Sequence, residues 1–537
     1  MSEIMTATDG YKLGHIDQYE KDTSKVVSNL TPRKSRIEGI DHVAWAGQQR
    51  FIKKYLIKKF QKKFFKLSED EAVKKYYRRV KNYLPAGSKD VRTDHIRSLH
   101  RLGYLPLVIL SLPEGVCSPI RVPQTVIYNT IDEFYWVVNY IETLASCEIW
   151  KPCTSATIAR EYKVIFDYYA MLTVGDTAFT QWQGHDFSMR GMSGLQDAMS
   201  SGFGHLISFT GTDTIPAIEY CEKWYNADCE KELIGGSVAA TEHAVMCSST
   251  GFYIWDKHNG DWIYQGAAEL AVFKRLITET YPDGIVSIVS DTWDLWRVLT
   301  QYMVELKDVI MARNGKLVIR PDSGDPVKIL TGYTIDELNA MDKLVRDKYI
   351  ACGADKGVIQ LLAETFGTTM SPKGYKLLNE KVGAIYGDSI TIPKAIAICQ
   401  RLMDKQFASI NWVAGIGSYT YQYQTRDTFG YAQKSTYCEV KKGDKVYCIP
   451  IFKDPVTDDG TKKSARGLTA VYKDANGEYY LKDNATWEEM LNCELKMVFK
   501  DGKLLIDQSL AEIRQRMAES IKKDVEKKLK EYHAVTV

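Results

Sequence analysis

Five apolar runs that each end in a polar or glycine-rich turn constrain the fold of this chain more than any other feature. The runs are HLISFTGTD (205–213), GIVSIVSDTWD (284–294), KLVIRPDSGD (316–325), VGAIYGDS (382–389) and INWVAGIGS (410–418). Because they are rich in β-branched residues and lack polar alternation, they predict strands buried on both faces, as in a parallel sheet. Helical patterns between them, such as IPKAIAICQRLMD (392–404), indicate an α/β fold.

The residues at the ends of these runs favour one architecture. Strands that each end in an acid, an arginine or a glycine are typical of the catalytic rim of a (β/α) barrel. A doubly wound sheet is the alternative. A doubly wound sheet of the dinucleotide-binding type is less favoured, because no GxGxxG motif follows the first predicted strand.

Composition sets the class of protein. The 537 residues suggest about three domains at roughly 100–200 residues each. Hydrophobic residues make up 45% and charged residues 26%, which is the balance of a soluble globular protein. A formal charge of +2 argues against a dedicated nucleic-acid-binding protein, so a substrate anion must be held by local charge. The 11 scattered cysteines contain no CxxC pair and fit a reducing cytoplasm.

Targeting signals and long apolar segments are missing from the sequence. MSEIMTATDG lacks the basic start and apolar run of a signal peptide, and nowhere do about 18 apolar residues follow one another. We therefore expect a cytoplasmic protein with no membrane and no nucleic-acid partner. The lysine-rich stretch at 50–67 is interpreted as a domain helix with a solvated face. Apolar spacing from Leu510 to Leu529 predicts a C-terminal helix, with Ser509 and Glu512 as its capping box.

Charged side chains at the strand ends point to a phosphorylated sugar as substrate. Arginine holds phosphate oxygens in a fork, aspartates suit ribose hydroxyls or Mg²⁺, and glycines let backbone N–H groups approach a phosphate. Each residue alone also fits a structural role, so the weight comes from their recurrence at five strand ends. The candidates are Arg190, Arg320, Arg426, Asp213, Asp291, Asp322, Asp388, Gly387 and Gly415–Gly417, together with His243 beside Glu242.

An ordered set of motifs resembles the nicotinamide phosphoribosyltransferase family. The motifs are ATDGYKLGHIDQY (7–19), GHDFSMRG (184–191), SFTGTDT (208–214), SVAATEH (237–243), SIVSD (287–291), VIRPDSG (318–324), YGDS (386–389), TRD (425–427) and FKDPV (452–456). The resemblance implies transfer of phosphoribose from phosphoribosyl pyrophosphate to nicotinamide, giving nicotinamide mononucleotide and pyrophosphate in NAD salvage.

The same resemblance implies the architecture. It predicts an irregular (β/α) barrel of the type II phosphoribosyltransferases, joined to a second, mixed α/β domain built from both chain ends. The expected parts are 1–150 for dimerisation, 151–425 for the barrel and 426–537 packing with the first part. A homodimer with two shared active sites is expected.

Residue roles also follow from the resemblance. Nicotinamide would stack between Phe187 and the partner subunit's Tyr11, with Asp213 accepting from its carboxamide and Arg320 nearby. His243 matches a histidine that ATP phosphorylates in an optional, coupled step, and Glu242 would orient its ring. These roles make His243, Asp213, Arg320, Asp322 and Glu242 the expected catalytic set. The expected phosphate and ribose contacts are Arg190, His243, Arg320, Asp322, Gly387, Asp388, Gly417, Ser418, Arg426, Arg33 and Lys434, with Asp291 organising Mg²⁺ through water.

Some features depart from the family, and alternatives stay open. Ser418 stands where the family usually has a second glycine. Extended spacers near 252–266 and 335–373 are expected to be surface loops. Nicotinate phosphoribosyltransferase is the nearest rival, with Asp213 as the discriminating residue. A catalytically silent protein on the same scaffold and a barrel phosphatase or aldolase are the others.

Overall fold

A six-stranded parallel sheet forms the centre of the protein. The computed structural model describes residues 3–83, 91–387, 389–453 and 465–536. The strands are β1 (Gly184–Asp186), β2 (Ala239–Ala240), β3 (Asp283–Val289), β4 (Asn314–Arg320), β5 (Val382–Tyr386) and β6 (Trp412–Ile416), in the spatial order β1-β6-β5-β4-β3-β2. Every neighbouring pair is parallel, which confirms the predicted α/β fold. The strand order steps round the sheet one strand at a time, without the central reversal of a doubly wound sheet.

The sheet curls so that its two edges approach each other. Isolated parallel bridges join Asp186 to Thr212 and Gly211 to Gly236, and Gly236 lies just ahead of β2. The segment around Thr212 therefore connects β1 to the chain that leads into β2. The result is the irregular barrel that the sequence predicts.

Helices cover the outside of the barrel. The longer ones are Leu195–Leu206, Pro216–Tyr225, His243–His258, Gln265–Arg275, Lys343–Cys352, Val358–Phe366 and Ile392–Asp404. Shorter helical segments are Thr180–Gln183, Leu276–Thr280, Leu295–Arg297, Val298–Tyr302, Met303–Glu305, Lys307–Ala312, Pro326–Thr331, Ile335–Asn339 and Ser418–Tyr421. Alternate side chains of each strand face these helices; Leu317 and Ile319 of β4 are fully buried against them.

A second sheet combines strands from both ends of the chain. Its seven strands, in spatial order, are Lys445–Pro450, Ala432–Lys442, Thr23–Thr31, Thr125–Asn129, Leu107–Ser111, Lys496–Lys500 and Lys503–Leu504, and all pairings are antiparallel. Small two-stranded sheets pair His42–Ala44 with Cys117–Pro119, Thr368–Met370 with Lys376–Leu378, and Leu468–Lys473 with Tyr479–Ala485.

The helices outside the barrel agree with the sequence patterns. The lysine-rich stretch is helical across Gln48–Phe51, Ile52–Lys59 and Gln61–Phe65, with Tyr55, Phe60 and Phe64 buried. The C-terminal helix Leu510–Thr536 begins with the predicted capping box, since Ser509 and Glu512 exchange hydrogen bonds. The others are His15–Gln18, Glu69–Val80, Asp94–Leu102, Trp136–Tyr140, Glu142–Thr173 and Trp487–Leu491.

Two predictions about local structure are wrong. HLISFTGTD is not a strand, because His205 and Leu206 end a helix and only the bridges at Gly211 and Thr212 follow. The extended spacers are not loops. The first continues the helix of His243 to His258, and the second folds into helices and a hairpin.

The domain boundaries at 150 and 425 stay predictions. The helix Glu142–Thr173 runs through the first boundary. In the described part of the chain, no helix is long and apolar enough to cross a membrane.

Candidate active site

A cavity of about 930 Å³ lies inside the barrel. Because side chains alternate along a strand, Lys316, Val318 and Arg320 of β4 face this cavity while their neighbours pack outward. Arg320 lies at the carboxyl end of its strand, beside Phe187 and Asp213 in the same wall. Aromatic, anionic and cationic side chains therefore meet at one end of an otherwise largely apolar channel.

Asp213 is held by two side chains. Its Oδ1 accepts hydrogen bonds from Nε2 of His185 at 2.9 Å and from the Ser237 hydroxyl at 2.5 Å. Partial burial raises the pKa of this carboxyl, but the hydrogen bonds and the charge of Arg320 outweigh it and lower the pKa below its usual value. Asp213, which lines the cavity, is therefore ionised near neutral pH.

Phe187 supplies an aromatic face next to that carboxylate. Its ring lies 4.6 Å from the ring of His185, and its backbone N–H donates to Ile416 at the end of β6. His185 and Ser237 are not among the site residues predicted from the sequence. Both lie within family motifs, GHDFSMRG and SVAATEH. Their polar side chains close in sequence to candidate binding residues are the signal that could have identified them.

Arg320 is held by the chain that directly follows β2. Its Nη2 donates to the backbone oxygen of Thr241, and its Nε is buried without a hydrogen-bond partner. Ser287 of β3 also lines the cavity with a buried, unpartnered hydroxyl. Both groups can therefore hydrogen-bond to a polar ligand in the cavity.

His243 meets two carboxylates at the rim. It is the first residue of a 16-residue helix, and its Nδ1 lies 3.2 Å from the Thr292 hydroxyl. Its Nε2 lies 3.8 Å from Asp291 and 3.7 Å from Asp322. The imidazole is about half exposed, so a reactant can reach it. Glu242 precedes it as the exposed N-cap residue and is not among these ring partners.

Asp291 organises the turn that carries Asp322. Its Oδ2 accepts from the backbone N–H groups of Asp322 and Ser323 at 2.8 and 2.7 Å. Gly387 packs against Asp322, since a Cβ built on this glycine would lie 1.7 Å from Asp322 Oδ1. The ends of β3, β4 and β5 thus converge as predicted. Asp388 lies outside the described residues.

The donor set at Asp291 fits Mg²⁺. Its Oδ1 is buried and has no hydrogen-bond partner, and Asp322 stands beside it. No group of three or more His, Cys, Asp or Glu side chains within the described ranges is arranged to hold a metal alone. Mg²⁺ commonly takes one or two carboxylates and completes its shell with water and substrate phosphates, which suits this arrangement.

A third group of candidates lies around β6. Gly417 precedes the short helix Ser418–Tyr421, and a Cβ on Gly191 would overlap the Ser418 side chain. The structure thereby brings the turn of Arg190 against the loop of Gly417. Arg190 is exposed, and Arg426 forms an exposed pair with Asp427 at 3.2 Å.

The remaining candidates belong to the second sheet and its surroundings. Tyr11 is exposed on the short turn Gly10–Gly14, Arg33 donates to Gly430, and Lys434 lies on the strand Ala432–Lys442. None of the three lines the cavity of its own chain.

Comparison with known proteins adds two kinds of evidence. Residues 182–529 match the model of the nicotinate phosphoribosyltransferase (NAPRTase) family, and residues 3–79 match the nicotinamide phosphoribosyltransferase N-terminal domain. The chain is 46% identical to a nicotinamide phosphoribosyltransferase of Acinetobacter baylyi, covering 96% of this chain and 97% of that protein. A Mycoplasma pneumoniae protein of the same name is 34% identical, covering 86% and 94%.

A solved structure supports the fold. Human nicotinic acid phosphoribosyltransferase matches with a TM-score of 0.51 over 96% of this chain and 93% of that chain. At 16% sequence identity this similarity concerns the fold alone, and it confirms the predicted type II phosphoribosyltransferase architecture.

Proposed function

Because the chain belongs to the nicotinate phosphoribosyltransferase family, and is therefore a phosphoribosyl-transferring enzyme, we propose that its acceptor is nicotinamide. The donor is phosphoribosyl pyrophosphate, and the products are nicotinamide mononucleotide and pyrophosphate. The observation that carries this proposal is the Asp213 carboxylate, which faces the barrel cavity beside Phe187. The names of the two bacterial relatives support the same acceptor.

Charge decides between the amide and the acid. A pyridine carboxamide donates N–H groups to the ionised Asp213, whereas the carboxylate of nicotinate is repelled by it. The lowered pKa of Asp213 keeps that repulsion in force at neutral pH. Arg320 attracts the negatively charged acid more strongly than the neutral amide, so the preference for the amide depends on the repulsion of the acid by Asp213.

The transfer is a substitution at the anomeric carbon. The pyridine nitrogen forms a bond to the anomeric carbon while the bond between that carbon and the pyrophosphate oxygen breaks. The configuration at the carbon therefore inverts. Pyrophosphate leaves with the electron pair, and the ring nitrogen becomes positively charged. Phe187 and Asp213 orient the pyridine for attack, and this positioning supplies a large share of the rate because no covalent nucleophile is needed.

Anionic groups of the donor lie at the rim. Arg320 and Arg190 hold the diphosphate, and Asp322 with Gly387 and Asp388 holds the ribose. Gly417, Ser418 and Arg426 take the 5′-phosphate. Asp291 would hold Mg²⁺ through water, and the ion would supply positive charge next to the leaving diphosphate.

His243 is the site of an optional phosphorylation by ATP. Its half-exposed ring between Asp291 and Asp322 stands next to the proposed diphosphate position. A phosphoryl group there adds negative charge beside the leaving group and biases the reaction toward the mononucleotide. The Thr292 hydroxyl, 3.2 Å from Nδ1, orients the ring, whereas the expected partner Glu242 does not contact it.

The active site is completed by a second copy of the chain. Tyr11 is exposed, anchored and outside its own cavity, which suits stacking on nicotinamide bound by the partner. Arg33 and Lys434 contact the donor's phosphates across the same interface. The enzyme acts in the cytoplasm in NAD salvage, and its eleven free cysteines suit a reducing compartment.

A product assay tests the proposal. Purified protein receives phosphoribosyl pyrophosphate and Mg²⁺ with either nicotinamide or nicotinate, and the mononucleotide is quantified by chromatography. We expect product from the amide and far less from the acid. Nicotinic acid mononucleotide as the only product assigns the rival specificity, and no product from either base indicates a catalytically silent scaffold.

A further inference from the structure

A buried ion pair fixes the turn that presents Tyr11. Nζ of Lys12 donates to Oε2 of Glu142 at 2.8 Å, and both side chains are almost fully buried. Tyr11, the residue before Lys12, is exposed, and the Lys12 ammonium lies 5.2 Å from the centre of the Tyr11 ring. Since a buried ammonium needs a counter-charge, Glu142 determines where this turn lies.

Further hydrogen bonds attach the residues just before this turn to the chain on either side of Glu142. Asp9 accepts from the Thr143 hydroxyl at 2.7 Å, and the Thr8 hydroxyl donates to the backbone oxygen of Tyr140 at 2.9 Å. Glu142 is the first residue of the helix Glu142–Thr173. The Tyr11 turn is therefore built onto the start of a long, rigid element.

Glu142 also contacts Lys434. Its other oxygen, Oε1, lies 3.6 Å from Nζ of Lys434, whose side chain is about half exposed. Asn139 supports the arrangement, because its amide donates to Glu142 at 3.3 Å and to the Ser435 hydroxyl at 2.9 Å. One carboxylate thus lies between two lysines from distant parts of the chain, one buried and one open to a ligand.

We propose that Glu142 is a positioning residue that aligns Tyr11 and Lys434 for the active site of a second copy of the chain. The inference rests on the proposed function, in which both residues reach into the partner's site. The buried Lys12 balances one negative charge, so Lys434 retains positive charge for a phosphate oxygen. Glu142 touches neither substrate and acts through these two neighbours.

Mixed dimers locate the effect of Glu142. One chain carries Arg320→Ala, which removes its own barrel site, so the other chain provides the barrel of the single working site. Glu142→Gln is then placed on either chain, and the KM values for nicotinamide and phosphoribosyl pyrophosphate are measured.

The two arrangements are expected to differ. With Glu142→Gln on the Arg320→Ala chain, both KM values rise about tenfold, because that chain supplies Tyr11 and Lys434. With Glu142→Gln on the chain that has the intact barrel, both stay at the level of the unsubstituted mixed dimer. Equal KM values in the two arrangements overturn the inference.

Two further variants separate positioning from stability. Glu142→Asp keeps the counter-charge of Lys12 and is the variant to use if the Gln protein does not fold; it should show the same dependence on the chain that carries it. Asp167→Asn breaks a comparable buried pair with Lys163, in which the charged atoms lie 2.6 Å apart. This control is expected to lower Tm and leave both KM values unchanged in either arrangement.

Failure of the proposed function has a different signature. If the wild-type protein makes no nicotinamide mononucleotide, the proposed acceptor is wrong. If it makes the product as a monomer, the acceptor stands and the role of Glu142 is overturned.

Discussion

A Cβ atom built on Gly387 would lie 1.7 Å from Oδ1 of Asp322, closer than any non-bonded contact allows. The relationship joins the ends of two neighbouring strands, β4 and β5. Gly387 is therefore required by the space that the aspartate occupies, and this explains a glycine directly after a buried strand. Any larger residue must push Asp322 from its place beside Asp291 and His243.

Gly387→Ala is expected to reduce kcat/KM about 100-fold, because an ångström-scale shift of Asp322 disturbs the ribose contacts. Steady-state kinetics with both substrates check this. The matched control is Gly251→Ala, since a Cβ there meets nothing within 4 Å in the middle of a helix. The control should keep full activity and gain about 0.5–1 kcal/mol of stability. Equal activity of the two variants would contradict the steric explanation.

Asp213→Asn is expected to lower the preference for nicotinamide over nicotinate about 100-fold. The neutral amide of asparagine accepts from a carboxamide and donates to a carboxylate, so the repulsion of nicotinate is lost. The ratio of kcat/KM values for the two bases is the measurement. Ser237→Ala serves as a control, because it removes one hydrogen bond from Asp213 and leaves the charge. It should change the ratio much less than Asp213→Asn, and an unaltered ratio in the Asn variant removes Asp213 from base selection.

Much of the barrel could be predicted because its longer strands have a clear sequence pattern. The runs that contain β3 to β6 are mostly apolar and end at the residues that form the rim. The run at 205–213 was wrongly predicted to be a strand, because its first residues complete the helix Leu195–Leu206. Tertiary context overrode local strand propensity there. Strand β1 has only three residues, too few for any periodicity.

The candidate site could be predicted less completely, since contacts between distant segments leave no periodic signal. Asp213 was expected from its position after an apolar run, whereas His185 and Ser237 gain importance only by meeting it in space. The pairing of Lys12 with Glu142 spans 130 positions and could not be read from spacing.

His243→Ala is expected to abolish the stimulation of the reaction by ATP. The substitution removes the nitrogen that would accept the phosphoryl group between Asp291 and Asp322. The measurement is the ratio of initial rates with and without ATP, so that a change in the ATP-free rate cancels. The ratio should fall to unity, together with loss of acid-labile phosphate on the protein. Retained stimulation assigns the coupling to another residue.

His95 is expected to make the protein less stable in mild acid. Burial lowers the pKa of this histidine from its usual 6.5 to about 4, with a smaller opposing effect of Asp94. Between pH 6.5 and pH 4 the imidazole is protonated in the unfolded chain and neutral in the folded chain. The free energy of unfolding is therefore unaffected by this group above pH 6.5 and decreases as the pH falls toward 4. At pH 5 this group costs about 2 kcal/mol. His95→Phe keeps an aromatic ring against Trp136, which lies 4.8 Å away, and removes the titration. Urea unfolding at pH 7 and pH 5 should show a smaller loss of stability for His95→Phe than for wild type, by about 2 kcal/mol; an identical loss in the two proteins would show that His95 already carries its proton when folded.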